Sequence, residues 1–146
     1  MKHLLPRNNT RGQSLVEFAI SLTAILILLA GAVDFGIGLF HYIAMRDAEQ
    51  EGALYGSMNP TNTSGIRQRA ANASGATGLI SDLYDNGGGP LAINISYTGA
   101  VCEGNGITVS LEYDYPISMP FIGAFVGDFI RLRATVTDTI LTPPCP

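Results

Sequence analysis

The sequence predicts an α+β protein: a long N-terminal helix that crosses a membrane, a second helix, and a small three-stranded antiparallel sheet packed on the outer half of the first helix. Three observations predict it. Phe18–Val33 is an uncharged apolar run; no proline occurs between Ser14 and Met58; and three later segments alternate apolar and polar residues. The chain has 146 residues, enough for one domain of ordinary size. Hydrophobic residues make up 47% and charged residues 14%, well below the charged share of a soluble domain. This composition excludes a disordered tail. A net charge of -4, from 8 Lys and Arg against 12 Asp and Glu, leaves no cationic excess to neutralise phosphates, so nucleic acid is not an expected partner. Two cysteines and two histidines cannot supply a four-thiolate zinc site, and neither a metal nor a cofactor is expected.

The first helix is expected over residues 13–58, with its transmembrane part at about 18–43. Between Phe18 and Ile43 the single acid is Asp34. A bilayer core needs about 20 mostly apolar helical residues, which this stretch exceeds. Before it, residues 1–12 hold Lys2, Arg7 and Arg11 and no acid; after it, Arg46 faces Asp47, Glu49 and Glu51. The positive-inside rule therefore places the N-terminus in the cytoplasm and the remainder outside. Asp34 lies about 25 Å beyond Glu17 along a helix, which favours a place near the outer interface over one facing a partner subunit. The alternative is an ordinary signal peptide cut after Ala32, in the small-x-small sequence Ala30-Gly31-Ala32. That would release a secreted or membrane-anchored small binding domain. Glu17 at the start of the apolar run, and the return of apolar residues after Asp34, argue against it.

Further along the helix, Ala44, Ala48, Gly52 and Gly56 fall every fourth residue on one stripe, where another backbone can approach closely. The visitor is either this chain's own globular part or a neighbouring subunit. Residues 59–146 form the expected extracytoplasmic α+β domain. Asn59-Pro60-Thr61-Asn62 breaks the helix. Thr63 or Ser64 is expected to cap a second one running to about Tyr84, weakened by Gly75 and Gly78. Asn86–Pro90 reads as a turn. It lacks the Lys-Ser/Thr of a phosphate loop. Strands are expected over 91–97, 107–115 and 130–137, each with one dry and one wet face. The apolar segment 116–128 is too short to span and reads as a loop or edge-covering segment near the membrane. Cys102 and Cys145 fall on the oxidising side and are expected to form an intramolecular disulfide, the alternatives being free thiols or an intermolecular bridge. No nucleophile elbow or zinc-protease motif occurs, and His3 and His41 lie far apart, so no catalytic role is expected.

The junction Arg11-Gly12-Gln13-Ser14-Leu15-Val16-Glu17-Phe18 adds a second level of reading. A short basic leader ends in Gly12. The helix opens at Gln13, and its fifth and sixth residues are Glu17 and Phe18. This resembles the class III leader of type IV prepilins, in the form found in the tight-adherence (Tad/Flp) pilus system. Asp34-Phe35-Gly36 and Ala48-Glu49-Gln50-Glu51-Gly52-Ala53 further resemble TadE-like minor pilins (pseudopilins). A departure is Leu54, where that family often has Arg. The resemblance is specific over residues 11–56. It implies a prepilin peptidase that cuts after Gly12, removing residues 1–12 as a leader peptide, and a free amine at Gln13. Glu17, one turn on, is expensive at that depth unless paired, and the resemblance implies a role for it in docking a subunit into a filament, with Phe18 beside it. Expected partners are inner-membrane lipid, the prepilin peptidase, the major Flp-type pilin, other minor pilins and the pilus assembly platform. The expected location is the inner membrane, in a single pass, with a periplasmic or extracellular C-terminal domain; incorporation in an adhesive pilus is the further option that the resemblance opens.

Overall fold

The computed structural model describes residues 10–73, 78–117 and 127–145. Helix α1 spans Thr10–Met58, α2 Thr63–Ala71 and α3 Leu79–Tyr84, the last running into a 3-10 turn at Asp85–Gly87. Strands β1 (Leu91–Thr98), β2 (Gly106–Pro116) and β3 (Phe129–Thr139) form one antiparallel sheet with β2 in the centre. The α+β architecture is the one the sequence predicts.

α1 holds 49 residues without interruption, roughly 73 Å of helix. The carbonyls at its C-terminal end need partners outside the helix, and the C-terminal segment of the chain supplies two. Leu141 N–H donates to Ser57 O (2.8 Å), and the Thr142 hydroxyl donates to Met58 O (3.0 Å). Pro60 then stops the helix, and its own carbonyl accepts from the Tyr97 hydroxyl. The cap of α2 is Asn62, whose side chain accepts from Gly65 N–H at 3.0 Å. Thr63 and Ser64 lie inside the helix, and Ser64 donates instead to the Asn62 side-chain oxygen. Asn is among the best N-cap residues, so the expected start moves by one position.

The second helix is also shorter than its sequence suggests. It ends at Ala71, capped by Asn72, and α3 begins afresh after Gly78, which adopts φ 84°. Asn72, Gly78 and the other small polar residues of this stretch are weak helix formers, and a left-handed glycine breaks the ladder. Gly75 lies outside the described residues. At the end of α3, a Cβ on Gly89 would lie 2.0 Å from Leu83 O, so the turn into β1 admits only glycine.

Leu91, Ile93, Ile107, Val109, Leu111, Tyr113 and Tyr115 are buried on the dry face of the sheet, joined by Ala134 of β3. In register, Leu111 stands between Ile93 and Ala134. This face closes on Met45, Ala48 and Ala53 of α1, with Ile66 and Ala70 of α2 and Ile80 of α3 in the same core. On the wet face, Arg131 pairs with Asp114 (2.8 Å) and Arg133 with Glu112 (3.2 Å). A disulfide joins Cys102 to Cys145, with Cα atoms 5.0 Å apart. Glu103 N–H donates to Pro143 O beside it, so the proline-rich end is tied to the β1–β2 connection. The segment read from sequence as 116–128 begins as strand at Pro116 and is closed by Ile117 N–H donating to Asp128 O (3.1 Å). Residues 118–126 within it lie outside the described residues.

Candidate functional site: the N-terminal helix

The residues singled out from the sequence fall on two contrasting parts of α1. Gly12 and Gln13 lie inside the helix, which begins two residues earlier at Thr10. A Cβ placed on Gly12 would meet nothing within 4 Å. Glycine is poor in a helix interior, by about 1 kcal/mol against alanine, and the packing of this chain does not require it there. Glu17 and Phe18 are exposed. Among the described residues no ion pair involves Glu17. The described residues of the chain's own domain therefore do not engage these four positions.

The small-residue stripe is different. Ala44, Ala48, Gly52 and Gly56 are all buried. A Cβ on Gly52 would lie 3.1 Å from the Ala70 Cβ, and one on Gly56 would lie 2.5 Å from the Ile107 Cδ1. The visitors to this stripe are thus α2 and β2 of the same chain, and that surface is already occupied in the monomer.

Between these parts lies a transition zone. Asp34 is half-buried, and its Oδ1 accepts from the Tyr115 hydroxyl at 3.2 Å. The single acid of the apolar run thus has a polar partner on the sheet. His41 Nδ1–H donates to Ile37 O (2.8 Å), and its ring stacks on Tyr113 with centroids 5.7 Å apart. Amphipathic rings of this kind concentrate where a membrane protein meets the interface.

Glu49 is the residue that the sequence reading missed. It entered as one of three acids beyond the span and as a member of the Ala48–Ala53 segment, with no role of its own, yet its side chain is 2% exposed. Oε1 is 3.9 Å from Arg46 Nε, and Oε2 has no hydrogen-bond partner among the described residues. Burial raises its pKa to about 7, with Arg46 pulling the other way. Helical spacing held the signal: Glu49 sits four residues from both Met45 and Ala53, and both are core residues.

The fold and these residues define a class: an α+β protein with, among the described residues, one helix long and apolar enough to cross a membrane, its C-terminal part roofed by a small disulfide-closed domain. The comparison with known families makes this more particular. The family model of TadE-like protein matches residues 12–54. Over that segment, under a third of the chain, the protein is similar to TadE-like proteins. No curated protein and no solved structure matches the chain.

Proposed function

We propose that this protein is a minor pilin, or pseudopilin, that is inserted in the inner membrane through α1, cut after Gly12 by a prepilin peptidase, and engaged in the biogenesis or initiation of a Flp-type pilus for surface attachment. The observation that carries the reading is the state of α1 below its domain. The TadE-like match opens at Gly12, and from there to Phe40 the helix is apolar and almost wholly uncovered among the described residues. An apolar helix surface without an internal partner needs lipid or other subunits.

The chemistry follows from the cut. Removal of the basic leader takes Lys2, Arg7 and Arg11 away and leaves an amine at Gln13. Glu17 is one turn on, and its carboxylate gains from a cation in an apolar surround. The new amine of the same chain or of a neighbour supplies it. A neighbour's amine makes the pair intermolecular and sets the stagger between adjacent helices. In this reading the N-terminus faces the cytoplasm and the domain stands on the periplasmic or extracellular side, where the Cys102–Cys145 bond is stable. Partners are the peptidase, the major Flp-type pilin, other minor pilins and the assembly platform.

The test is the intact mass and N-terminal sequence of the protein isolated from its native membrane. The expected start is Gln13. A start at Val33 overturns the reading in favour of an ordinary secreted domain. A start at Met1 in cells with an active prepilin peptidase overturns it in favour of an uncut anchor.

A further inference from the structure

Among the described residues, the domain leaves one exposed band on the outer part of α1: Ile43, Arg46, Asp47, Gln50, Glu51, Leu54 and Met58. The opposite side of the same turns, with Met45, Ala48, Glu49 and Gly52, is buried. Leu54 is 55% exposed and Met58 53%. A helix needs about 20 residues to cross the hydrocarbon; counted from Phe18, these end at Ile37. Leu54 stands about 25 Å beyond that level, where acyl chains do not reach. Its cover is water or protein.

The band has a heptad frame. Ile43, Asp47, Gln50 and Leu54 follow one another in steps of four, three and four, which is the spacing of d, a, d and a. Arg46 then falls at g and Glu51 at the next e. These are the positions that face each other, with opposite charge, across two parallel helices. Within one helix they stand about 140° apart and do not meet. Arg46 has Glu49 of its own chain beside it, but only through Nε at 3.9 Å, and its side chain is 55% exposed. Read downward, the frame passes through Phe40, Gly36, Val33 and Leu29, all exposed. Read upward, it ends at Ser57, the next d, which is buried under the domain; Met58 lies at its edge.

We propose that a second copy of this chain covers the band, in a parallel, in-register pair of α1 helices about an axis along the membrane normal, with Arg46 of each copy reaching Glu51 of the other. This rests on α1 crossing the membrane, because copies that share one bilayer and one orientation lie parallel. The occupant is a second copy because the band is complementary to itself: its cation and its carboxylate stand one g-to-e step apart, so a two-fold axis satisfies both pairs at once. Asp47 is the cost. It brings two carboxylates together at a, where a polar residue fixes register and oligomer at the expense of stability. Arg46 of the facing copy, one residue earlier, lies beside it. Glu49 stays under its own domain and takes no part. Glu17 falls at f in the same frame, away from the seam, so this pairing leaves it free for an amine.

The two native cysteines are already joined to each other, so a single added cysteine reports contact between copies. Full-length Gln50→Cys, Leu54→Cys and Ser96→Cys variants are reconstituted in phosphatidylcholine vesicles and oxidised. All three positions are exposed, and Ser96 lies on the wet face of the sheet. The expected result is covalent dimer at 50 and 54 and none at 96. In the Leu54→Cys protein, Glu51→Arg should weaken pairing about tenfold by turning two attractions into repulsions. Asp47→Leu should strengthen it, and Arg46→Glu combined with Glu51→Arg should restore it. Equal cross-linking at all three positions overturns the proposal as chance collision. Dimer at 54 that neither Glu51→Arg nor Asp47→Leu changes also overturns it, as does a charge-swapped variant that melts normally and does not pair. Cross-linking of Leu54→Cys to a different protein in native membranes, with none between copies in vesicles, overturns it in favour of another subunit. Retention in vesicles through an alkaline carbonate wash without cross-linking overturns the pairing alone. Release by that wash removes the spanning helix and the proposal with it.

Discussion

From Gly12 to Phe40 α1 carries large aliphatic side chains on every face and is half-buried at Gly31, Asp34 and Gly38, the other positions being exposed; from Ala44 to Met58 it has a buried stripe of small residues, with Arg46, Asp47 and Glu51 turned outward. The helix is continuous across the two regions, so backbone propensity does not distinguish them. What differs is the size of the side chain offered to a neighbour. Small residues let α2 and the sheet approach closely, and the space is filled by Ile66, Ile107 and Val109. Leu and Ile hold other backbones away and suit acyl chains. The comparison teaches that one helix presents two kinds of surface, and that substitutions in its two halves should be read by different assays.

The largest expected effect is all-or-none and lies in the lower half. Gly12→Val should abolish the species that starts at Gln13, as seen by mass spectrometry, while the melting temperature of the domain stays unchanged because nothing packs there. Glu17→Ala should leave the cut intact and remove the protein from sheared pilus fractions. A lowered melting temperature in either variant would break the division between the halves. Next in size is the Cys102→Ser, Cys145→Ser double variant. The bond closes 43 residues, and its loss should cost about 4 kcal/mol on the chain-entropy account. This is measurable by denaturant unfolding of the detergent-solubilised protein, with membrane insertion unaltered.

Packing substitutions sharpen the contrast at smaller scale. Ile66→Ala empties a fully buried site between α2 and α1 and should cost about 2–5 kcal/mol. Gly56→Ala pushes a methyl against Ile107 and should cost about 1–3 kcal/mol through overpacking. Gly36→Ala, the same chemical change where nothing lies within 4 Å, should be neutral or stabilise the helix by up to about 1 kcal/mol. Equal effects at positions 36 and 56 in chemical unfolding would mean that the upper stripe is not packed as described.

Much of this division was legible in the sequence, because period and length are local signals. The uncharged run announced the lower half, the four-residue spacing of Ala44, Ala48, Gly52 and Gly56 announced a close contact, and alternation announced each strand to within two residues. The identity of the stripe's visitor was not legible, since choosing between α2 and another subunit depends on tertiary closure. The break after Ala71 was underestimated because the apolar positions Leu79, Ile80 and Leu83 continue a helical pattern past residues that end the helix. The partner of Asp34 was hidden for a simpler reason: Tyr115 is 81 residues away, and its hydroxyl lies on what alternation marks as the dry face. The residues proposed for processing and assembly are readable only as a motif, because Gly12, Gln13, Glu17 and Phe18 meet nothing among the described residues that would define a geometry.

Glu49 gives the smallest effect at neutral pH and the sharpest test of the upper half. Two acids of one helix, Glu17 and Glu49, stand in opposite surroundings: the first is exposed along α1, the second is sealed under the domain with a single cation 3.9 Å away. Its folded pKa of about 7 exceeds the ordinary 4.5. Between these values the folded chain keeps a proton that the unfolded chain releases, so this group's contribution to stability is fully present below pH 4.5 and is lost as pH rises through 7. Asp114, lowered by the hydrogen bond from Arg131, acts in the opposite sense and only at more acidic pH. Glu49→Gln, which keeps the shape and removes the charge, should therefore leave stability nearly unchanged at pH 5 and raise it progressively toward pH 8, flattening the slope of the unmodified protein. Parallel profiles for the two proteins would show that Glu49 reaches solvent, and that the domain closes on α1 less tightly than its small-residue stripe implies.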